Sequence, residues 1–362
     1  MCRLHRPGRQ PMGCATAGES PAPAGCEALG RDGKAEDGMC SKITYRTGTG
    51  TFITGRGMDW NDPTADTALW VFPAGMQRDG GAGSSPISWT SRFGSVVTSF
   101  YGTSSSDGMN AAGLVCNILY LSESDYGEPG AEGRTTLSIG AWAQYYLDNF
   151  ATVAEAVEAT RKDPFSIIAP VLPNGRAATV HLALSDPSGD CAVIEYLGGH
   201  PVVHHGPEYR VMTNSPVYDQ QLALTAYWDL IGGNRMLPGT ISAADRFVRL
   251  SYNLKSSPEY EDRRMAVASV FSQMRAIGVP LGMEDPDHPN ISATLWRAIA
   301  DHDAKRYYFE STVSPSVMWV DLDKVDLASG ADVMAVDVAR DGLAGEVSAE
   351  FRPRAPFEFL AA

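Results

Sequence analysis

Cys40 stands directly after Met39, where a Gly- and Pro-rich stretch gives way to the alternating run Cys40-Ser-Lys-Ile-Thr-Tyr-Arg46. A thiol is the strongest intrinsic nucleophile among side chains, but it acts as thiolate and needs a base. A cysteine at the head of a chain carries that base itself, because a free α-amino group titrates at about pH 8. Nucleophile and base would then belong to one residue, and no Cys–His pairing would be needed. The plainer reading of Cys40 is a strand cysteine with a packing role. Arg56 and Asp59 follow in Arg56-Gly-Met-Asp59-Trp60. If Cys40 opens one strand of a hairpin, the second strand brings this motif back beside it. A carboxylate there can hold the α-amino group, and a guanidinium can bias the thiol toward thiolate. The plainer reading is a surface Arg–Asp pair, worth about 0–1 kcal/mol.

Other catalytic machinery is missing. The serine-hydrolase elbow G-x-S-x-G is approached only by Thr136-Leu-Ser138-Ile-Gly140, which lacks the first glycine. No lysine has a serine three positions before it, and H-E-x-x-H, the phosphate-binding G-x-x-x-x-G-K-[ST] and C-x-x-C are absent. His204 and His205 are adjacent, and neighbours on a strand face opposite ways, which suits a single metal poorly. Cys2, Cys14 and Cys26 lack the close pairs of a metal site. Neither a metal nor a cofactor is expected.

The elements that must position these groups are legible in outline. The chain has 362 residues, 44% hydrophobic and 20% charged, with a net charge of −14. Such an acidic balance disfavours nucleic acid and anionic membrane surfaces as partners. No apolar stretch approaches the length of a membrane-spanning helix. Residues 1–39 lack hydrophobic periodicity and read as a disordered leader, removed or preceding the true start. Arg3, Arg6 and Arg9 are not followed by the apolar core of a secretory signal. Residues 40–362 read as one domain. Its first element is a hairpin from Cys40 to Trp60 around Gly48-Thr-Gly50. Strands are expected at Ala68–Phe72, Ser95–Phe100 and Gly113–Leu121, with Asp107-Gly-Met-Asn110 as the turn between the last two. Helices are expected at Leu137–Phe150 and from the N-cap Thr152 to about Lys162. Strand patterns return at Ala177–Leu184, Cys191–Leu197, His200–His204 and Tyr209–Met212. Helices follow at Asp219–Leu230, Ala243–Leu254 and Arg263–Ile277. Strands at Ala293–Ala300, Arg306–Glu310 and Val317–Leu322 close the chain. This order is not a βαβ alternation. It predicts an α+β fold of two antiparallel sheets packed face to face with helices outside both.

The motifs together resemble the choloylglycine hydrolase and penicillin V acylase family, linear-amide hydrolases of the N-terminal-nucleophile class. The resemblance spans residues 40–360 and rests on five pieces in order. They are Met39-Cys40, Arg56-Gly-Met-Asp59-Trp60 and Asp107-Gly-Met-Asn110-Ala-Ala-Gly113-Leu114, then Met212-Thr-Asn214-Ser-Pro216-Val-Tyr-Asp219 and Asp245-Arg246-Phe-Val-Arg249. It implies a four-layer αββα sandwich with Cys40 as nucleophile, Arg56 and Asp59 as its neighbours and Arg246 as a second active-site arginine. It further implies that the Asn214 side chain and the Tyr120 backbone N–H form the oxyanion hole. Tyr120 stands where bile-salt hydrolases carry asparagine and penicillin acylases an aromatic residue. Asp219–Trp228 and Asn234–Gly239 resemble the Gram-negative branch most, and the short span from Asn214 to Arg246 matches a reduced subunit-assembly hairpin. A homotetramer follows by analogy.

The expected activity is hydrolysis of an N-acyl small-molecule amide, of the penicillin V or N-acyl homoserine lactone type, through a Cys40 thioester. Conjugated bile salts are the alternative substrate class. Tyr120, Trp60, Met58 and Trp70 are the expected acyl-pocket residues. Trp142, Tyr145 and Tyr146 read as packing, and Cys116 and Cys191 as buried thiols. Two other readings compete: a non-catalytic binding module on the same fold, and a papain-like thiol protease, which would need a cysteine opening a helix. The absence of a secretory signal points to the cytoplasm, with the periplasm of the Gram-negative branch as the alternative.

Overall fold

The computed structural model describes residues 39–172, 175, 177–232, 235–283 and 292–360. Of the expected leader 1–39, residues 1–38 lie outside the described residues and Met39 is buried; Asn234 of the branch-like segment also lies outside them.

Strand β1 (Ser41–Arg46) and strand β2 (Phe52–Trp60) form the expected hairpin, in register from Ser41 opposite Gly57 to Arg46 opposite Phe52. They belong to a seven-stranded sheet in the order 211–212, β1, β2, 293–301, 306–311, 317–321, 345–346. All its neighbours are antiparallel except the last pair. The second sheet has nine antiparallel strands, with Val115–Tyr120 beside Val180–Ser185 near its middle and strand β3 (Ala68–Phe72) toward one edge. Helix α1 (Ile139–Asn149) and helix α2 (Val153–Thr160) pack on the nine-stranded sheet. Helices α4 (Ala243–Ser256) and α5 (Arg263–Ala276) pack on the seven-stranded sheet, and α3 (Tyr218–Ile231) lies on α4. The protein is therefore an α+β sandwich of four layers.

Burial explains the sequence patterns. In β3, Leu69 and Val71 belong to the core shared with the seven-stranded sheet, while Ala68, Trp70 and Phe72 join the core under α1. Covered on both faces, the strand is apolar throughout instead of alternating. Helix α1 starts at Ile139, two residues later than its apolar spacing suggests, because Leu137 sits in a short strand and the Ser138 Oγ caps the helix by accepting the Gly140 N–H at 3.1 Å. Trp142 and Tyr146 are buried in the α1 core, as expected. Gly55 of β2 lies under α5, and a Cβ there would come 2.5 Å from Val270 Cγ1.

One turn is corrected. Asp107-Gly-Met-Asn110 is part of the strand Ser104–Asn110, and the turn lies just beyond it. There the Asn110 Oδ1 accepts the N–H groups of Ala112 and Leu114, both at 3.0 Å. The polar composition that suggests a turn instead reflects a polar interior, since Asp107 is buried against the seven-stranded sheet. Strand Met334–Asp337, which pairs with β3, has no counterpart among the expected elements.

Candidate active site

Cys40 sits at the head of β1, and the hairpin register carried back one residue sets it across from Met58. Its Sγ lies 3.7 Å from Met58 Sδ and 3.8 Å from the Asp59 carbonyl oxygen. Both Met39 and Cys40 are buried, each 2% exposed. The Cys40 N–H donates to Asn214 Oδ1 at 2.7 Å.

Asn214 follows the short strand Val211–Met212, which pairs with β1. The preceding carbonyl of Thr213 lies 2.8 Å from His181 Nε2. Arg246 reaches the same point from α4. Its Nη2 donates to Asn214 Oδ1 at 2.9 Å, and its Nη1 donates to the Cys40 carbonyl at 2.6 Å and to Ser41 Oγ. Two donors on Oδ1 fix which way the amide faces. Its Nδ2 then points to the Tyr120 carbonyl, 2.6 Å away. In a strand a residue's N–H and C=O point the same way, so the Tyr120 N–H is directed to this side too. An amide nitrogen carries two hydrogens, so Nδ2 can donate to Tyr120 and to a further acceptor.

Arg56 lies on the face of β2 turned to the second sheet, fully buried. Its Nη2 donates to the Ile118 carbonyl at 2.8 Å, its Nε lies 3.5 Å from Asp107 Oδ2, and its guanidinium stacks 4.4 Å from the Trp296 ring centre. The surface-pair reading of Arg56 and Asp59 is thereby corrected: both are buried, and the carboxylate paired with Arg56 is Asp107. Asp107 also accepts the Tyr307 hydroxyl and the Asn117 amide, both at 2.6 Å. Asp59 accepts the Thr294 hydroxyl. Burial pushes both carboxyls up to about 6, against the lowering influence of Arg246 on Asp59 and of Arg56 on Asp107.

With Met39 still attached, the Cys40 thiol is held above its usual range. Burial raises the thiol, and Asp59 adds to this; Arg56 and Arg246 pull the other way without prevailing. Removing a sulfur anion from water costs more than two partly neutralised guanidinium groups return. Burial thus favours the protonated form of the thiol, and attack requires a base. Cys116 and Cys191 are buried and raised too, in keeping with inert thiols.

A cleft of about 590 Å³, counting the part open to solvent, runs from Cys40 and Arg56 between the sheets. Met58, Trp60 and Tyr120 line it, with Phe100, Ile118 and Leu172. The Trp60 and Tyr120 rings lie 6.1 Å apart, and Trp60 meets Phe100 edge-on at 5.7 Å. Ser104, Ser105 and Ser106 also line it, yet their hydroxyls donate to Phe100 O, Gln144 Oε1 and Thr98 O. With those protons committed, the wall is effectively apolar. Trp70 is corrected: it faces α1, stacked on Phe72 at 5.7 Å, and does not reach the cleft. The sequence reading missed Asp107, Thr294, Trp296 and Phe100. Of these only Asp107 lay in a motif that could have exposed it.

His204 and His205 point to different partners, Glu195 and Asp190 respectively. Among the described residues no group of three or more His, Cys, Asp or Glu could hold a metal ion.

Two antiparallel sheets between helical layers, with a cysteine heading the first strand, are the arrangement of N-terminal-nucleophile amide hydrolases. Residues 40–337 match the model of the linear amide C–N hydrolases, choloylglycine hydrolase family, and the chain belongs to that family. It is 46% identical to a penicillin V acylase of Pectobacterium atrosepticum over 331 residues, covering 85% of this chain and 88% of that protein. Its structure is similar to that of a penicillin V acylase from Agrobacterium tumefaciens, at 47% identity and a TM-score of 0.81, covering 89% of this chain and all of that one. A bile salt hydrolase/transferase of Bifidobacterium longum is more distant, 23% identical over 308 residues, 77% of this chain and 94% of that protein. The protein is thus an amide hydrolase of the linear C–N class.

Proposed function

We propose that this protein is a cysteine N-terminal-nucleophile acylase, active once the Met39–Cys40 bond is broken, that cleaves N-acyl amides of the penicillin V or N-acyl homoserine lactone type. The observation that carries it is the convergence of the Cys40 nitrogen, Asn214 and Arg246 at one end of an apolar cleft. The freed α-amine takes the thiol proton as Sγ attacks the amide carbonyl carbon. The oxyanion accepts hydrogen bonds from Asn214 Nδ2 and the Tyr120 N–H, the hydrogen-bond stabilisation expected of such a hole. The ammonium returns its proton to the leaving amine, and the C–N bond breaks to leave a Cys40 thioester. Water, deprotonated by the same amine, releases the acid and restores the thiol. Arg246 orients Asn214 and the Cys40 carbonyl, Arg56 shapes the field around sulfur, and Asp59 is assigned to hold the ammonium.

The aromatic wall of Trp60, Phe100 and Tyr120 favours phenoxyacetyl or fatty acyl groups, and the similarity to penicillin V acylases supports the same choice. The working form is taken as a cytoplasmic homotetramer, with the periplasm as the alternative compartment; light scattering and cell fractionation check both. The central test is intact mass of the natively expressed protein, then hydrolysis of penicillin V, N-acyl homoserine lactones and glycocholate. A mass beginning at Cys40, with turnover of the first two and none in Cys40→Ala, is expected. An active species that retains Met39 would remove the base and overturn the proposal. Preference for glycocholate would move the protein to the bile-salt class, and saturable binding without product would make it a binding module.

A further inference from the structure

The far end of the chain reaches the cleft. Leu360 lines it together with Ile139 and Gly140 at the start of α1. Its N–H donates to the Thr103 carbonyl at 2.8 Å, and its own carbonyl accepts the Ser138 hydroxyl. Two glycines make room for this docking. A Cβ on Gly140 would stand 3.2 Å from Leu360 N, and one on Gly81 would stand 2.9 Å from Phe359 Cβ. Upstream, Phe357 packs edge-on against Trp70 at 5.2 Å and Phe72 at 5.6 Å, while Arg78 lies between the rings of Phe72 and Phe359. The tail is therefore anchored by two aromatic side chains and two hydrogen bonds before it presents Leu360.

From this we propose that the C-terminal tail is a wall of the acyl site and that Leu360 sets the length of acyl chain accepted. The proposal rests on reading the cleft as the acyl site. Most other lining residues are held in sheet strands or α1, where a change of size disturbs the core. Leu360 is only partly buried, so its size can change the cleft without that cost. Each acyl methylene that the cleft can bury is worth about a fourfold gain in kcat/KM.

The test compares the protein with Leu360→Ala and Leu360→Trp on N-acyl p-nitroanilides, from butanoyl to dodecanoyl, that share one leaving amine. The reading is the ratio of kcat/KM for dodecanoyl to that for butanoyl. It should rise about tenfold in Leu360→Ala and fall about tenfold in Leu360→Trp. Opposite signs from smaller and larger side chains are what a wall produces and a loss of stability does not. A ratio that stays within twofold in both, or moves the same way in both, overturns the proposal. If no anilide is cleaved, calorimetric binding of the matching fatty acids to the same variants in a Cys40→Ala background gives the ratio. A ratio shifted in opposite directions there keeps the wall while the acylase reading fails, and an unshifted ratio or no binding overturns the wall.

Discussion

Asn214 accepts the backbone N–H of Cys40 through Oδ1 at 2.7 Å, across 174 residues of sequence. That bond, with Arg246 on the same oxygen, fixes an amide whose two ends differ in chemistry. The Nδ2 is left to donate on the side where Tyr120 lies. Asn214→Ala and Asn214→Asp both remove this donor. Each should lower kcat by about 10²–10³ with a much smaller change in KM. A loss confined to KM would show that Asn214 holds substrate and not the oxyanion.

Asp59 is expected to trade stability for function. Its folded-state pKa of about 6 exceeds the ordinary 3.8. With the pKa raised in the folded state, the benefit is complete at low pH and lost as pH rises through about 6. Asp59→Asn should therefore stabilise the fold at pH 8 by on the order of 3 kcal/mol, with little effect at pH 4. Hydrolysis should be lost in the same variant. Urea unfolding at the two pH values decides the matter; an equal shift at both would contradict the assignment of cost to the buried charge.

Arg56 should prove structural as well as catalytic. Arg56→Ala leaves Asp107 without its guanidinium between the sheets and is expected to cost about 3–5 kcal/mol. In the Asp107→Asn background the same change should cost much less, because no buried charge is stranded. A double-mutant cycle by denaturant titration measures this coupling, and additive costs would refute the pairing.

Gly55→Ala tests the contact between β2 and α5. The new methyl would lie 2.5 Å from Val270 Cγ1 and 3.1 Å from Ile299 Cδ1. A loss of about 1–3 kcal/mol is expected, with a lowered Tm. A shortened Val270→Ala partner should recover part of it.

Read alone, the sequence determined the Cys40–Trp60 hairpin, most of the strands and the five helices, and the family to which Cys40, Arg56 and Asp59 belong. These depend on side-chain alternation, turn residues and caps, which act over a few neighbouring positions. Cys191–Leu197 and Ala68–Phe72 could be bounded to the residue for this reason. Tertiary structure alone decided the rest. Alternation places Ala68, Trp70 and Phe72 on one face, but only the packing of α1 shows that this face is turned from the cleft. The polar run at Asp107 reads as a turn until the opposite sheet supplies Arg56 and Tyr307, and the neighbouring strand Asn117, to satisfy it. The upward shift of the Cys40 thiol follows from burial, a property of the assembled interior that no spacing of residues encodes.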